Sequence, residues 1–154
     1  MVMSKVRIFT ESTLKEGESC LLGRHPSHHV LKVLRMQVSE QIFVFNGDGN
    51  QYLGVISSVS SGCVLLDIIS SEKKISESCC RVHLAQALVR GQKMDYVIQK
   101  AVECGVFSIT PLITERCGVK LSGDRLPKKI RHWQQVAISA CEQSGRCCIP
   151  EVHA

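Results

Sequence analysis

The chain has 154 residues, 44% of them hydrophobic and 21% charged, with a formal net charge of +5. That length suffices to bury a core in one domain or two small ones, and the composition excludes a disordered chain. Its apolar runs, such as residues 63–66, are far too short to span a bilayer, and the opening "MVMSKVRIFTES" has no apolar signal-type stretch. A cytoplasmic protein with no membrane partner is expected, and the basic balance suits a nucleic-acid partner without requiring one.

The first half reads as β-rich. "VRIFT" (6–10) alternates as a strand does, and "QIFVFNGDGNQYLGVISSV" (41–59) places two β-runs around an Asn-Gly-Asp-Gly-Asn cluster that signals a hairpin. "CVLLDIIS" (63–70) is a further short apolar strand. One helix is predicted among them, "SHHVLKVLRM" (27–36), with Ser27 as its N-cap. The charged and polar stretch "SSEKKISES" (70–78) has few apolar anchors and reads as a linker.

The periodicity then changes. "RVHLAQALV" (81–89) is a nearly continuous apolar run, as expected of a strand covered on both faces. In the following segment Met94, Val97, Ile98, Ala101 and Val102 recur on one helical face, and Gly105 is placed to end that helix. "FSITPLIT" (107–114) supplies a second strand, so the order is β-α-β and the two strands are expected to be parallel. A basic loop with Arg116, Lys120 and Arg125 leads to a helix over about 127–145, its inner face formed by Ile130, Trp133, Ala137, Ala140 and Cys141. "CIPEV" begins a third strand. The organisation is therefore a β-rich domain over residues 1–72 and an incomplete parallel α/β domain over 79–154.

Nine cysteines are a high count, but they include no C-x-x-C pair and the total is odd. Neither a zinc site nor a disulfide framework is expected, and no metal ligand is assigned. The window "RHPSHHVLKVLR" (24–35) holds Arg24, His28, His29, Lys32 and Arg35 and no acidic residue. On a regular helix His28, Lys32 and Arg35 share a face opposite Val30, Leu31 and Leu34, a line of cations able to follow a phosphate backbone; a solvated helix face is the alternative. Lys100 with Glu103, and Glu142 with Arg146, are spaced as helix-surface ion pairs.

Taken together, "HHVLKVLRM", "VFNGDGNQY", "QALVRGQKMDYVIQKAVECGV" followed by "ITPLITER", and "ACEQSGRCCIP" stand in the order and spacing of one family. The chain resembles the RsmE family of 16S ribosomal RNA uridine N3-methyltransferases, from about Arg7 to Pro150. The resemblance implies a PUA-like RNA-binding β-barrel followed by the first portion of a SPOUT-type, trefoil-knot α/β domain. It also implies a homodimer that takes a methyl group from S-adenosylmethionine and transfers it to N3 of a uridine in 16S rRNA of the small ribosomal subunit. In this chain "ECGV" stands where members usually have "ELGV", and Ser39-Glu40 where a glycine and an acid are common. The glycine-rich cofactor loops and the knot of the family lie further C-terminal than Ala154. The S-adenosylmethionine site is therefore expected beyond residue 154, and no cofactor-binding residue is assigned within the chain.

Methylating N3 of uridine requires removal of its proton and stabilisation of the resulting anion. The resemblance puts Glu142 and Arg146 near the family's cleft, as candidate base and stabiliser, with Lys100 and Glu103 next. Arg24, His28, His29, Lys32 and Arg35 are the candidate RNA-binding group. The alternative is a non-catalytic RNA-binding module.

Overall fold

The computed structural model describes residues 6–74, 77–115, 117 and 125–154. The chain divides into two compact units, Met1–Ile75 and Ser76–Ala154.

The N-terminal unit is built on a mixed five-stranded sheet. Its strands are β1 (Arg7–Phe9), β2 (Ser19–Leu21), β3 (Gln41–Phe45), β4 (Asn50–Ser60) and β5 (Cys63–Lys73), in the spatial order β1-β3-β4-β5-β2. All pairings are antiparallel except β1 with β3. The long β4–β5 hairpin turns through Ser61 and Gly62, at φ 50° and 77°. Two consecutive left-handed residues match the twist of the flanking strands, and glycine takes that conformation without a Cβ clash. In the β3–β4 loop the Asp48 amide donates to Asn46 Oδ1 at 3.3 Å, the Asn50 amide to Asp48 Oδ1 at 2.8 Å, and the Tyr52 hydroxyl to Asp48 Oδ2 at 2.7 Å. These bonds give the Asn-Gly-Asp-Gly-Asn cluster its turn.

Alternate residues of the strands, among them Ile42, Val44, Ile56, Val64, Leu66 and Ile68, meet Val30 in one buried core. Fully burying side chains of this size is worth about 1.5–3 kcal/mol each. Strand β2 was not anticipated: three residues carry too little periodicity to stand out, and pairing with Leu65–Asp67 of β5 is what makes them a strand. Strand β5 also continues to Lys73, into the polar stretch 70–78, because Ser70–Lys73 pair with Asn50–Leu53 of β4.

The helix of this unit starts earlier than its sequence suggests. Helix α1 spans Arg24–His28 and continues as a π-helical turn over His29–Val33, closed by the Leu34 amide donating to the His29 carbonyl at 3.0 Å. Ser27 is therefore not a cap. It is buried inside α1, where its hydroxyl donates to the Leu22 carbonyl at 3.1 Å and accepts from the Val64 amide at 3.0 Å.

The C-terminal unit has three parallel strands, β6 (His83–Ala87), β7 (Ser108–Leu112) and β8 (Glu151–Val152), in the order β6-β7-β8. Helix α2 (Lys93–Glu103) connects β6 to β7 and buries Met94, Ile98 and Val102. It stops at Gly105, φ 88°, with the Gly105 amide bonded to the Val102 carbonyl and the Val106 amide to the Ala101 carbonyl. That is the Schellman pattern, which only a residue tolerant of positive φ closes easily. Helix α3 (Arg125–Ser144) buries Trp133, Ala137, Ala140 and Cys141. Its Gln134 side chain holds β8 in place, donating to the Pro150 carbonyl at 3.1 Å and accepting from the Val152 amide at 2.9 Å. Strand β6 lies at the sheet's edge, and His83 and Ala85 are exposed, so its apolar run is covered less than two-sided burial would give. Arg116 and Lys120 of the basic loop lie outside the described residues.

Candidate functional site

Arg24, His28, Lys32 and Arg35 are all exposed, His29 is half-buried, and Val30 beneath them is buried. The cationic group is thus displayed on the outside of the N-terminal unit. Its geometry departs from a regular helical stripe. The π-turn changes the i, i+4 register, and Arg35, at φ 55°, has already left the helix.

In the C-terminal unit Arg146 is only 5% exposed. It follows Gly145, which terminates α3 at φ 85°, so its side chain turns back into the unit. Nη1 donates to the carbonyls of Val102 at 3.0 Å and Val106 at 2.9 Å, at the end of α2 and in the turn that follows it. Nε and Nη2 donate to the carboxylate of Glu77, Nε at 3.1 Å to Oε2. One guanidinium thereby ties the segment before β6 to the α2–β7 turn and to the end of α3. Glu142 lies on the last turns of α3, half-buried.

Lys100 and Glu103 form an ion pair at 2.7 Å on the outer side of α2, and Gln99 also donates to Glu103 at 3.0 Å. The hydrogen bond between them raises the Lys100 ammonium and lowers the Glu103 carboxyl relative to their ordinary values. A cross-helix contact joins Asp95 Oδ2 of α2 to His132 Nε2 of α3 at 2.8 Å. Beside it is a shallow hollow of about 310 Å³ lined by Gln99, His132, Gln135 and Gln143.

A larger cleft of about 640 Å³ opens where the three parallel strands begin, lined by residues including Glu77, Arg81, His83, Phe107, Ser108, Arg146, Glu151 and His153. Phe107, just before β7, is 46% exposed. The Arg81 guanidinium lies 5.0 Å from its ring centroid, and the His83 ring meets it edge-on at 5.2 Å. His83 Nδ1 is bonded to Ser108 Oγ at 2.7 Å. Reading along the chain missed this cluster and the Glu77 partner of Arg146. The β-α-β expectation held the signal, because residues just ahead of neighbouring parallel strands share one edge of the sheet.

In open α/β sheets, ligands sit at the carboxyl ends of the strands, the opposite edge from this cleft. At that edge the Cys117 sulfur bonds the Thr114 hydroxyl at 3.2 Å and amide at 3.4 Å and lies 3.4 Å from the Leu88 carbonyl. It joins the segments that leave β6 and β7, and the Thr114 hydroxyl, followed by its amide, draws the thiol below its ordinary range. A Cβ added at Gly91 or Gly145 would meet no protein atom within 4 Å, and at Gly105 only Ser78 Cβ at 3.8 Å. Among the described residues no group of three or more His, Cys, Asp or Glu side chains is placed to hold a metal ion. Cys20, Cys141 and Cys147 pack in the interior while Cys79, Cys80 and Cys104 are exposed. No described helix is long and apolar enough to cross a membrane.

Comparison with known proteins places both units. Residues 22–69 match the family model of an RNA methyltransferase PUA domain, and residues 76–154 match that of an RNA methyltransferase domain. Among curated relatives, ribosomal RNA small subunit methyltransferase E of Buchnera aphidicola (from Schizaphis graminum) is 34% identical over 95% of this chain and 59% of its own length. The protein of the same name from Bacillus subtilis is 30% identical over 93% of this chain and 56% of its own length. Among solved structures, ribosomal RNA small subunit methyltransferase E of Neisseria gonorrhoeae, bound to S-adenosyl methionine, superposes with a TM-score of 0.91 at 35% identity, over 97% of this chain and 61% of that one. A Legionella pneumophila protein described as a methyltransferase, with SAM bound, gives 0.94 at 40% identity, over 98% of this chain and 62% of that one. The chain spans less than two thirds of each of these proteins. With a PUA-like mixed sheet followed by a parallel α/β unit, and with both family models matched in that order, the chain belongs to the RNA methyltransferase family, among the relatives of ribosomal RNA small subunit methyltransferase E.

Proposed function

We propose that this chain supplies the RNA-binding unit and the opening β-α-β-α-β portion of an S-adenosylmethionine-dependent methyltransferase acting on N3 of a uridine in 16S rRNA. The observation that carries this reading is the match of both units, in order, to proteins named ribosomal RNA small subunit methyltransferase E. On this reading the protein works in the cytoplasm on the small ribosomal subunit. The remainder of a SPOUT-type knotted domain supplies the methyl donor's site and the homodimer contact.

Within these residues the roles divide by exposure. Arg24, His28, His29, Lys32 and Arg35 hold RNA through its phosphates, a sequence-independent grip that sets register without reading bases. Arg146 acts as a positioning residue, because its described hydrogen bonds go to Glu77 and to the end of α2. Glu142, on the last turns of α3, is the candidate base for the proton at N3 that the resemblance implies. A carboxylate in that role must lie within hydrogen-bond reach of the base it deprotonates.

The alternative, an RNA-binding module without transfer activity of its own, rests on the PUA-domain match alone. Calorimetry of the 154-residue chain with S-adenosylmethionine tests where the donor's site lies. No heat of binding is expected, and micromolar affinity would overturn the assignment of that site to other residues. Fluorescence anisotropy with a 16S rRNA fragment tests the RNA reading. Binding is expected, and its absence at low salt would reject both readings.

A further inference from the structure

We propose that Arg81, Phe107 and His83, at the starts of β6 and β7, form a second RNA contact: a stacking bracket for one unpaired nucleotide of the ribosomal RNA. This rests on the RNA reading above and adds to it a site on the methyltransferase unit. Phe107 is a large apolar residue left 46% exposed in a cleft of about 640 Å³, a volume within the range of small-ligand sites. It is held in place, since its amide donates to the Val82 carbonyl at 2.8 Å and its ring meets the edge of His83. His83 is in turn fixed by Ser108.

Arg81 lies across the Phe107 ring, and no described residue hydrogen-bonds or ion-pairs with its guanidinium. A guanidinium stacked on an aromatic ring keeps its second face for a base and its N–H edge for a phosphate. Two other ionisable side chains of the cleft already have acidic partners: Arg146 bonds Glu77, and His153 Nδ1 lies 3.4 Å from Glu151 Oε1. Among the described lining residues Arg81 is thus the arginine without an acidic partner, and its complement is an anion with a planar group attached. An unstacked nucleotide has both features. Stacking of this kind tolerates any base, so the bracket selects single-stranded over duplex RNA and does not read sequence.

The test uses the full chain, with anisotropy on a labelled oligouridylate and on an RNA duplex of equal length. Arg81→Ala and Phe107→Leu are each expected to weaken oligouridylate binding by about fivefold to a hundredfold, the range of a lost base–aromatic stack. Duplex binding should change by less than about twofold, because phosphate contacts elsewhere carry it. Photocrosslinking wild-type protein to 4-thiouridine RNA gives a readout independent of variant folding, with adducts expected on the segments around Arg81 and Phe107. The proposal is overturned if both variants bind oligouridylate as tightly as wild type, or if every adduct maps to residues 6–74. Loss of binding confined to Lys32→Glu and Arg35→Glu would leave the RNA reading standing and reject the bracket, whereas a wild-type chain that binds neither RNA would reject both. A change in oligomeric state with RNA binding intact would make this cluster a protein contact and also overturn the proposal.

Discussion

Arg146 takes its structural meaning from atoms distant in the chain. Glu77 is 69 positions away, and the carbonyls of Val102 and Val106 are 44 and 40 positions away. Its sequence neighbourhood, with Glu142 four residues earlier, resembles an ordinary helix-end pair. The decisive local residue is Gly145, which ends α3 and swings Arg146 out of the helical register. Truncating a buried member of such a network leaves its partners desolvated and short of a donor. Arg146→Ala is therefore expected to lower unfolding free energy by about 3 kcal/mol in a urea titration. Glu77→Gln should cost less, about 1 kcal/mol, because the Glu77 side chain is 30% exposed and an amide oxygen still accepts. A loss at Arg146→Ala no larger than that of a surface substitution would show that the clamp contributes nothing.

At the scale of elements, α1 separates what pattern reveals from what packing imposes. The alternation of apolar and cationic residues in "SHHVLKVLRM" reports a helix with one side inward, and Val30 is buried as that pattern requires. The start, the π-turn and the exit at Arg35 do not follow from the pattern. The hydroxyl of Ser27 bridges the Leu22 carbonyl and the Val64 amide of β5, which draws the first turn against the sheet. Ser27→Ala should leave that buried amide without its acceptor and destabilise the protein by about 1–3 kcal/mol, measured by thermal unfolding. Ser27→Gly would add backbone freedom to the same loss and should be worse. Helix α2 is the contrasting case. Its apolar face and the Gly105 stop were both legible, because a 3.6-residue period and a left-handed glycine are local properties.

For the molecule as a whole, the proposed RNA grip should be electrostatic and therefore sensitive to salt. Lys32→Glu and Arg35→Glu are each expected to weaken binding to an rRNA fragment and to reduce the slope of log affinity against log salt by about one. The effect should be similar across RNA sequences, as for phosphate contacts that carry no base information. Affinity and slope left unchanged in the double variant would move the RNA surface away from α1.

Much of the architecture was legible from order and period: strands, a hairpin at Asn-Gly-Asp-Gly-Asn, then β-α-β and a helix leading into a third strand. These features depend on residues near one another in the chain, where side-chain spacing and turn chemistry act directly. The parallel pairing of β1 with β3, the short strand β2, the extension of β5, the Glu77–Arg146 clamp and the Arg81–Phe107 stack were decided only by the tertiary structure. Each joins segments far apart in sequence, and nothing in a local pattern specifies which distant backbone edge or charge will meet it. By itself the sequence determined two units, a β-rich one and a parallel α/β one, and a cationic stretch over residues 24–35. The fold decided which of those cations stay exposed, and it turned Arg146 inward because a buried guanidinium requires its acceptors close on every side.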